Sequence, residues 1–168
     1  MYYEAIQQFA RSLRNLDAVL GKAEAYAKAR NFDVNNFIQA RLAPDMLPFS
    51  YQVKSTVAHS LGAIEAVRKG VFSPDMTPPP DTFAGLKSAV AETLTALAAV
   101  QASEVDAFMG RDMRFSFREH HIDFTAENFL LSFSQPNFYF HATTAYDILR
   151  WKGVQIGKRD FTGKLRAK

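Results

Sequence analysis

Residues 136–161 read PNFYFHATTAYDILRWKGVQIGKRDF, and this stretch decides the fold. Pro136 suits the first turn of a helix, where its missing N–H would lack a partner anyway. Gly153 suits the position just past the helix end, which favours a residue in the left-handed region. Apolar and small side chains occupy two faces of the turns between them. A helix that is apolar on two faces packs on two sides, so we predict a central helix here.

His141 lies among apolar and small residues of this predicted helix. It shares a face with Thr144, Ala145 and Ile148, because they follow it by three, four and seven residues. Tyr146 lies on a second apolar stripe and could offer its hydroxyl to a pocket. Packing in the core is the commoner role of such a tyrosine, so both interpretations stay open.

The composition predicts one soluble globular domain over residues 1–168, with 48% hydrophobic and 22% charged residues. No apolar run reaches the roughly 20 residues that cross a bilayer, so we expect no membrane partner. The chain has no cysteine, which excludes disulfides, thiolate nucleophiles and cysteine metal sites. It begins MYYEAIQQ, without the apolar core of a secretory signal, so we expect a cytoplasmic protein.

Basic residues crowd the C-terminal end of the chain, although the net charge is only +3. No nucleic-acid recognition motif accompanies them, so we predict a solvated tail and no nucleic-acid partner. The residues are Lys152, Lys158, Arg159, Lys164, Arg166 and Lys168.

Apolar side chains recur at steps of three and four through much of the chain before residue 112, which is typical of amphipathic helices. A proline-rich stretch at 73–80 interrupts the pattern, because proline cannot continue a helix. Three long helices are predicted: 2–30, one opened by Pro44 and ending near Gly70, and one capped by Asp81 or Thr82 and ending around Glu104.

Apolar and polar residues alternate after residue 112, which predicts a short β-hairpin near residues 112–124. A helical pattern resumes over 126–133, and we expect it to bend or break at Pro136. The predicted fold class is therefore all-α, with four principal helices and a small accessory hairpin.

Two of the four histidines are candidates for a site. His120 and His121 are adjacent in the predicted hairpin, where successive side chains point to opposite faces, so we expect both in an exposed turn. His59 lies in the second helix on a face of small residues. Small neighbours leave room, so we expect His59 and His141 to border one cavity between helices; the commoner alternative is a core histidine whose hydrogen bonds are simply satisfied.

A metal site built on these two histidines would be incomplete. Zinc sites normally have at least three protein ligands. The residue one turn beyond His141 is Ala145, which has no donor atom. A third ligand would have to come from elsewhere, and spacing places none of the candidates well: Asp45, Glu65 or Asp147.

Four segments together resemble an uncharacterised bacterial family, a domain-of-unknown-function branch of the DinB/YfiT-like superfamily. They are RLAPDM at 41–46, PNFYFH at 136–141, TAYDILR at 144–150 and GKRDF at 157–161. The resemblance covers nearly the whole chain and implies an up-down-down-up four-helix bundle. The superfamily implies a divalent metal held by three histidines, and some members are thiol-dependent transferases or isomerases. His59 matches the ligand from the second helix and His141 the first ligand of the last helix, while the remaining ligand position falls on Ala145.

Three functions compete at this point. The first is a small-molecule-binding or interaction module whose cavity is lined by His59 and His141, with Tyr146 and Asp45 as further candidates. The alternative is a metal-dependent transferase- or hydrolase-like enzyme in which Zn²⁺ or Ni²⁺ activates a thiol or water. The third is a structural bundle that dimerises through an apolar helix face, and we expect a homodimer. The missing ligand favours the binding or structural role over the enzyme.

Overall fold

The computed structural model describes residues 2–165 and 167, so Arg166 and Lys168 of the predicted basic tail lie outside the described residues. The fold is mostly helical and carries a small three-stranded sheet. The helices are α1 (Tyr2–Ala29), α2 (Phe49–Ala58), α3 (Leu61–Lys69), α4 (Phe83–Ala98), α5 (Ala102–Asp106), α6 (Ala126–Asn128), α7 (Gln135–Trp151) and α8 (Lys158–Thr162). The strands are β1 (Val71–Phe72), β2 (Asp112–Phe117) and β3 (His120–Thr125).

The first predicted helix is observed as α1, within one residue of the expected end. Its apolar stripe, which includes Phe9, Leu13 and Leu20, is fully buried. The helix packs against α4, α7 and α8. Within residues 2–165, no helix is both long and apolar enough to span a membrane.

The second predicted helix is wrong in two respects. It begins at Phe49 rather than Pro44, because Pro48 adopts an extended backbone with ψ of 169°. It is also broken between α2 and α3, at His59 and Ser60. The Ser60 hydroxyl donates to the carbonyl of Val57 at 2.9 Å, a local bond that competes with the continuing helix. His59 therefore lies at the C-terminal end of α2 and not in mid-helix.

The third predicted helix starts as expected and stops earlier. Thr82 caps α4, with its hydroxyl accepting the N–H of Gly85 at 3.1 Å. The helix ends at Ala98 rather than near Glu104, because Gln101 is extended with ψ of 148° and starts the separate helix α5.

The predicted hairpin is observed as β2 and β3, which pair antiparallel from Asp112 with Thr125 to Phe117 with His120. Sequence reasoning missed β1, which adds to the hairpin in parallel, with Val71 opposite Arg114. The added strand brings the Phe72 ring within 6.3 Å of the Phe115 ring.

The last long segment stays helical across Pro136 and does not break there. Residues 129–134 form a π-helical stretch, in which the N–H of Gln135 bonds five residues back to the carbonyl of Leu130. Pro136 has no N–H of its own to donate. The Asn137 side chain donates to the Phe133 carbonyl at 2.7 Å. The wider turn thus accommodates the proline just before α7.

The C-terminal end of α7 closes as the sequence predicts. Gly153 has φ of 93°, and the N–H of Val154 reaches back to the Leu149 carbonyl at 3.0 Å, as in a Schellman motif. The chain then forms α8, which packs on α1. Lys22 of α1 pairs with Asp160 at 2.6 Å.

Candidate functional site

A pocket of about 150 Å³ lies between the end of α2, the start of α7 and the small sheet. We call it the histidine pocket, because both His59 and His141 line it. Aromatic side chains from the sheet and from the π-helical stretch form one wall, and polar side chains form the other. The remaining lining residues are Tyr51, Lys54, Ser55, Ala58, Phe72, Pro74, Asp75, Phe115, Phe133 and Asn137.

The two imidazole rings lie nearly parallel. Their centroids are 5.9 Å apart and their planes differ by 11°. The Phe72 ring also stacks on His59 at 5.4 Å, and the Phe133 ring meets it edge-on at 5.7 Å. His59 is held by rings on several sides and is only 9% exposed.

Gln52 fixes the tautomer of His141. The amide nitrogen of Gln52 donates to the Leu47 carbonyl at 2.8 Å, so its oxygen Oε1 must face the imidazole. That oxygen is 2.7 Å from His141 Nδ1, and an amide oxygen only accepts. Nδ1 therefore carries the hydrogen, and Nε2 of the neutral ring is an acceptor.

Burial keeps both imidazoles neutral. It lowers the pKa of His59 to about 4, and the neighbouring His141 lowers that pKa further. Burial likewise lowers the pKa of His141 to about 4. Among the described residues, no group hydrogen-bonds the buried Nδ1 of His59. Buried polar atoms are normally paired, so this unpartnered nitrogen is the exceptional feature of the site.

Lys54 binds the proline-rich loop, residues 73–80, beside the pocket. Its ammonium pairs with the Asp75 carboxylate at 3.0 Å and also donates to the Asp75 carbonyl at 2.9 Å. Hydrogen bonds from Thr77, followed by the bond from Lys54, lower the pKa of Asp75 to about 2. The carboxylate therefore stays ionised at neutral pH, and it balances the charge of Lys54.

A larger groove of about 480 Å³ adjoins the histidine pocket. Four residues border both spaces: Lys54, Ala58, Phe72 and Asp75. The groove continues along α3 past Gly62 and Ala66, with Glu65 and Lys69 at its edge.

Asn137 lines the pocket, whereas Ala145 does not. Asn137 lies one turn before His141 on α7 and borders the same space. Ala145 lies one turn after His141, is fully buried and belongs to the hydrophobic core. Sequence reasoning looked only forward from His141 and so missed Asn137, although a spacing of four applies in both directions.

The other predicted site residues lie apart from the histidine pocket. Asp45 is exposed in the turn before α2. Tyr146 packs against Phe161, with ring centroids 5.7 Å apart. His120 and His121 are exposed on β3, and Asp147 is exposed on α7. In the part of the chain that the structure describes, no three His, Asp or Glu side chains are grouped so that they could hold a metal ion.

Comparison with known proteins places the chain among uncharacterised DinB-like proteins. It is 29% identical to a DinB family member from Shewanella denitrificans, whose crystal structure superposes with a TM-score of 0.84. The match covers 100% of this chain and 95% of the other. No curated protein matches at a significant level. The model of the family described as a domain of unknown function, DUF1993, matches residues 1–162, and the chain therefore belongs to this family.

Proposed function

We propose that this protein binds a small polar molecule in the histidine pocket and needs no metal to do so. One observation carries the proposal: His59 and His141 line a small pocket with ring nitrogens that receive no hydrogen from the described protein groups. Ligand sites combine apolar walls with a few convergent polar groups, which is the composition of this pocket.

We also propose that the long helical segments form the up-down-down-up four-helix bundle implied by the DinB-like resemblance. The segments are α1, the broken pair α2–α3, α4 and the stretch 126–151. Packing of α2 on α7 and on α4, and of α1 on α4 and on α7, supports this arrangement. The histidine pocket would then lie between the second and last helices of the bundle.

The binding proposal is tested with three probes that each have three carbon atoms: propylamine, propanol and propionate. The imidazole ¹⁵N signals of His59 and His141 are followed at pH 7, with the exposed His120 and His121 as internal controls. At least one probe should shift the two pocket signals saturably, with a Kd on the order of 1 mM for so small a ligand.

A blocking variant separates pocket binding from surface binding. Ala58 borders both spaces, so Ala58→Leu should fill the pocket mouth and abolish the shifts. If no probe moves the signals of His59 and His141, or if the shifts survive in Ala58→Leu, the binding proposal is wrong.

A metal-dependent enzyme is the second candidate. The bond from His141 Nδ1 to Gln52 favours it, because metal-ligating histidines usually donate their other ring nitrogen in this way. When bound, Zn²⁺ or Ni²⁺ would lower the pKa of a coordinated water or thiol. The donor set falls short of the usual three protein ligands, since the third family position is Ala145 and the nearest polar side chain of α7 in the pocket is the amide of Asn137.

Zinc and nickel titrations of protein without a histidine tag decide between the two candidates. We expect binding no tighter than about micromolar, with the metal lost on dialysis. Stoichiometric metal that resists dialysis would put the enzyme first.

A further inference from the structure

The histidine pocket offers hydrogen-bond acceptors. His141 Nε2 is an acceptor because Nδ1 donates to Gln52. Nδ1 of His59 is buried and has no hydrogen-bond partner among the described residues, so a ligand in the pocket meets the other nitrogen of that ring, Nε2. Asn137 uses its amide nitrogen on the Phe133 carbonyl, so its oxygen is a second acceptor.

Among the described residues that line the pocket, none offers an unused positive charge. An ammonium has three hydrogens, and four oxygens of Asp75 and Thr77 surround that of Lys54 at 2.5–3.1 Å. Asp75 neutralises Lys54, while Tyr51 and Ser55 contribute hydroxyls that can donate or accept. An anion bound here would meet neutral imidazoles, whereas an ammonium would meet the ionised Asp75 carboxylate, which borders both the pocket and the groove.

The groove can take the rest of a ligand. It opens from the histidine pocket at Ala58 and Phe72 and runs over the small residues Gly62 and Ala66. A Cβ atom added at Gly62 would meet only the Cβ of Ala58, at 3.9 Å, so this part of the groove is open. The charged residues at its edge, Glu65 and Lys69, have opposite signs.

From these observations we infer that the ligand is a primary amine, whose ammonium group donates to His141 Nε2 and the Asn137 oxygen and whose apolar body lies in the groove. The inference rests on the proposed function of the same pocket. A primary ammonium supplies enough hydrogens for both acceptors at once, whereas a hydroxyl supplies one and a carboxylate none.

The test compares hexylamine, hexanol and hexanoate at pH 7 by the ¹⁵N signals of His59 and His141. Hexylamine should bind at least about tenfold more tightly than either analogue. It should also bind at least about tenfold more tightly than propylamine, because three more methylenes are buried in the groove.

Two substitutions at Gly62 test whether the apolar body of the ligand lies in the groove. Gly62→Leu fills the groove and should remove the advantage of hexylamine over propylamine, while propylamine itself still binds. Gly62→Ala adds only the tolerated Cβ and should change neither affinity by more than about twofold.

The outcomes separate the two proposals. If hexanol or hexanoate binds at least as tightly as hexylamine, as followed by the imidazole signals, the amine inference is wrong and the binding function stands. If hexylamine binds equally well to wild type and Gly62→Leu, the placement in the groove is wrong. If no probe shifts the signals, both the proposed function and the amine inference are wrong.

Discussion

The two ends of α7 are built differently. At the first end, the π-helical stretch precedes Pro136, and the hydroxyl of Ser134 is buried without a hydrogen-bond partner among the described groups. His59 beside this end also has a buried nitrogen without such a partner. Polar atoms are thus left unsatisfied where the histidine pocket lies.

At the other end, the backbone groups are satisfied. The Schellman closure at Gly153 pairs the last carbonyls of α7. The Asp160 carboxylate accepts the N–H of Gly157 at 2.8 Å and pairs with Lys22. Asn15 of α1 donates to the Phe161 carbonyl at 3.0 Å. This end fastens the C-terminal segment to α1.

The comparison separates two roles along α7, with the proposed binding at its first end and stability at its C-terminal end. Leaving a buried polar group without a partner costs about 1–3 kcal/mol, so such groups persist only where the rest of the fold compensates. The proposed binding belongs to the end that keeps these groups, whereas the end that satisfies them anchors the C-terminal segment to α1.

Lowering the pH should produce the largest change in unfolding free energy, and it acts through the imidazoles of the histidine pocket. An unfolded histidine has a pKa near 6.5, whereas both pocket imidazoles have a pKa of about 4. Between these values the unfolded chain binds more protons, so stability falls as the pH drops through this window. We expect a loss of about 3 kcal/mol for each imidazole between pH 7 and pH 4, measured by urea unfolding.

The exposed histidines provide the matched control for the acid prediction. The double substitution His120→Gln and His121→Gln should keep the loss assigned to the pocket imidazoles, because both side chains are exposed on β3 and neither lines the histidine pocket. Unfolding free energies that stay flat from pH 7 to pH 4.5 would show that the pocket imidazoles titrate normally.

A substitution at the anchored end should produce the next largest effect. Gly153→Ala forces an L-residue to adopt φ of 93° and places a Cβ 2.7 Å from the Tyr26 hydroxyl. We expect it to lower the unfolding free energy by about 2 kcal/mol and to leave the pKa values of His59 and His141 unchanged. Urea unfolding and the imidazole signals test both parts.

Gly21→Ala is the opposite control for that substitution. Apart from its chain neighbours and the nearby backbone of α1, no described atom lies within 4 Å of a Cβ added at Gly21, so the change inside this helix should stabilise by up to about 1 kcal/mol. Equal changes in unfolding free energy for Gly153→Ala and Gly21→Ala would mean that the closure at Gly153 does not require glycine.

The prediction with the smallest expected effect asks which position of α7 can add a third metal ligand beside His59 and His141. Asn137→His should bring a third imidazole to the pocket beside His59 and His141 and tighten zinc binding at least about tenfold, or 1.4 kcal/mol, in a calorimetric titration. Ala145→His is the control: the residue is fully buried in the core, so it should destabilise without a gain in zinc affinity. A gain for Ala145→His alone would reverse our assignment.

Much of the fold follows from local signals in the sequence. Pro136 is accommodated in the first turn of α7 and Gly153 closes its end, because their backbone preferences act on single positions. Thr82 starts α4 through a bond to its own third neighbour, and the hairpin follows from alternation.

The unpredicted features depend on neighbours that are distant in sequence or on very short segments. Strand β1 has two residues, too few for a pattern, and exists because it pairs with β2. Asn137 and Ala145 are equally spaced from His141, so only the packing of α7 against α2 decides which one meets the pocket. The bond between Gln52 and His141 joins residues 89 positions apart, and no local pattern indicates it.

The central claim is that the histidine pocket presents neutral imidazoles as acceptors, and ¹⁵N spectroscopy of the histidine rings tests it most directly. We predict that His141 is the Nδ1–H tautomer at pH 7 and that the His59 and His141 signals titrate near pH 4, while His120 and His121 are read alongside as exposed references. An Nε2–H tautomer at His141, or pocket signals that titrate at or above pH 6.5, would contradict the claim.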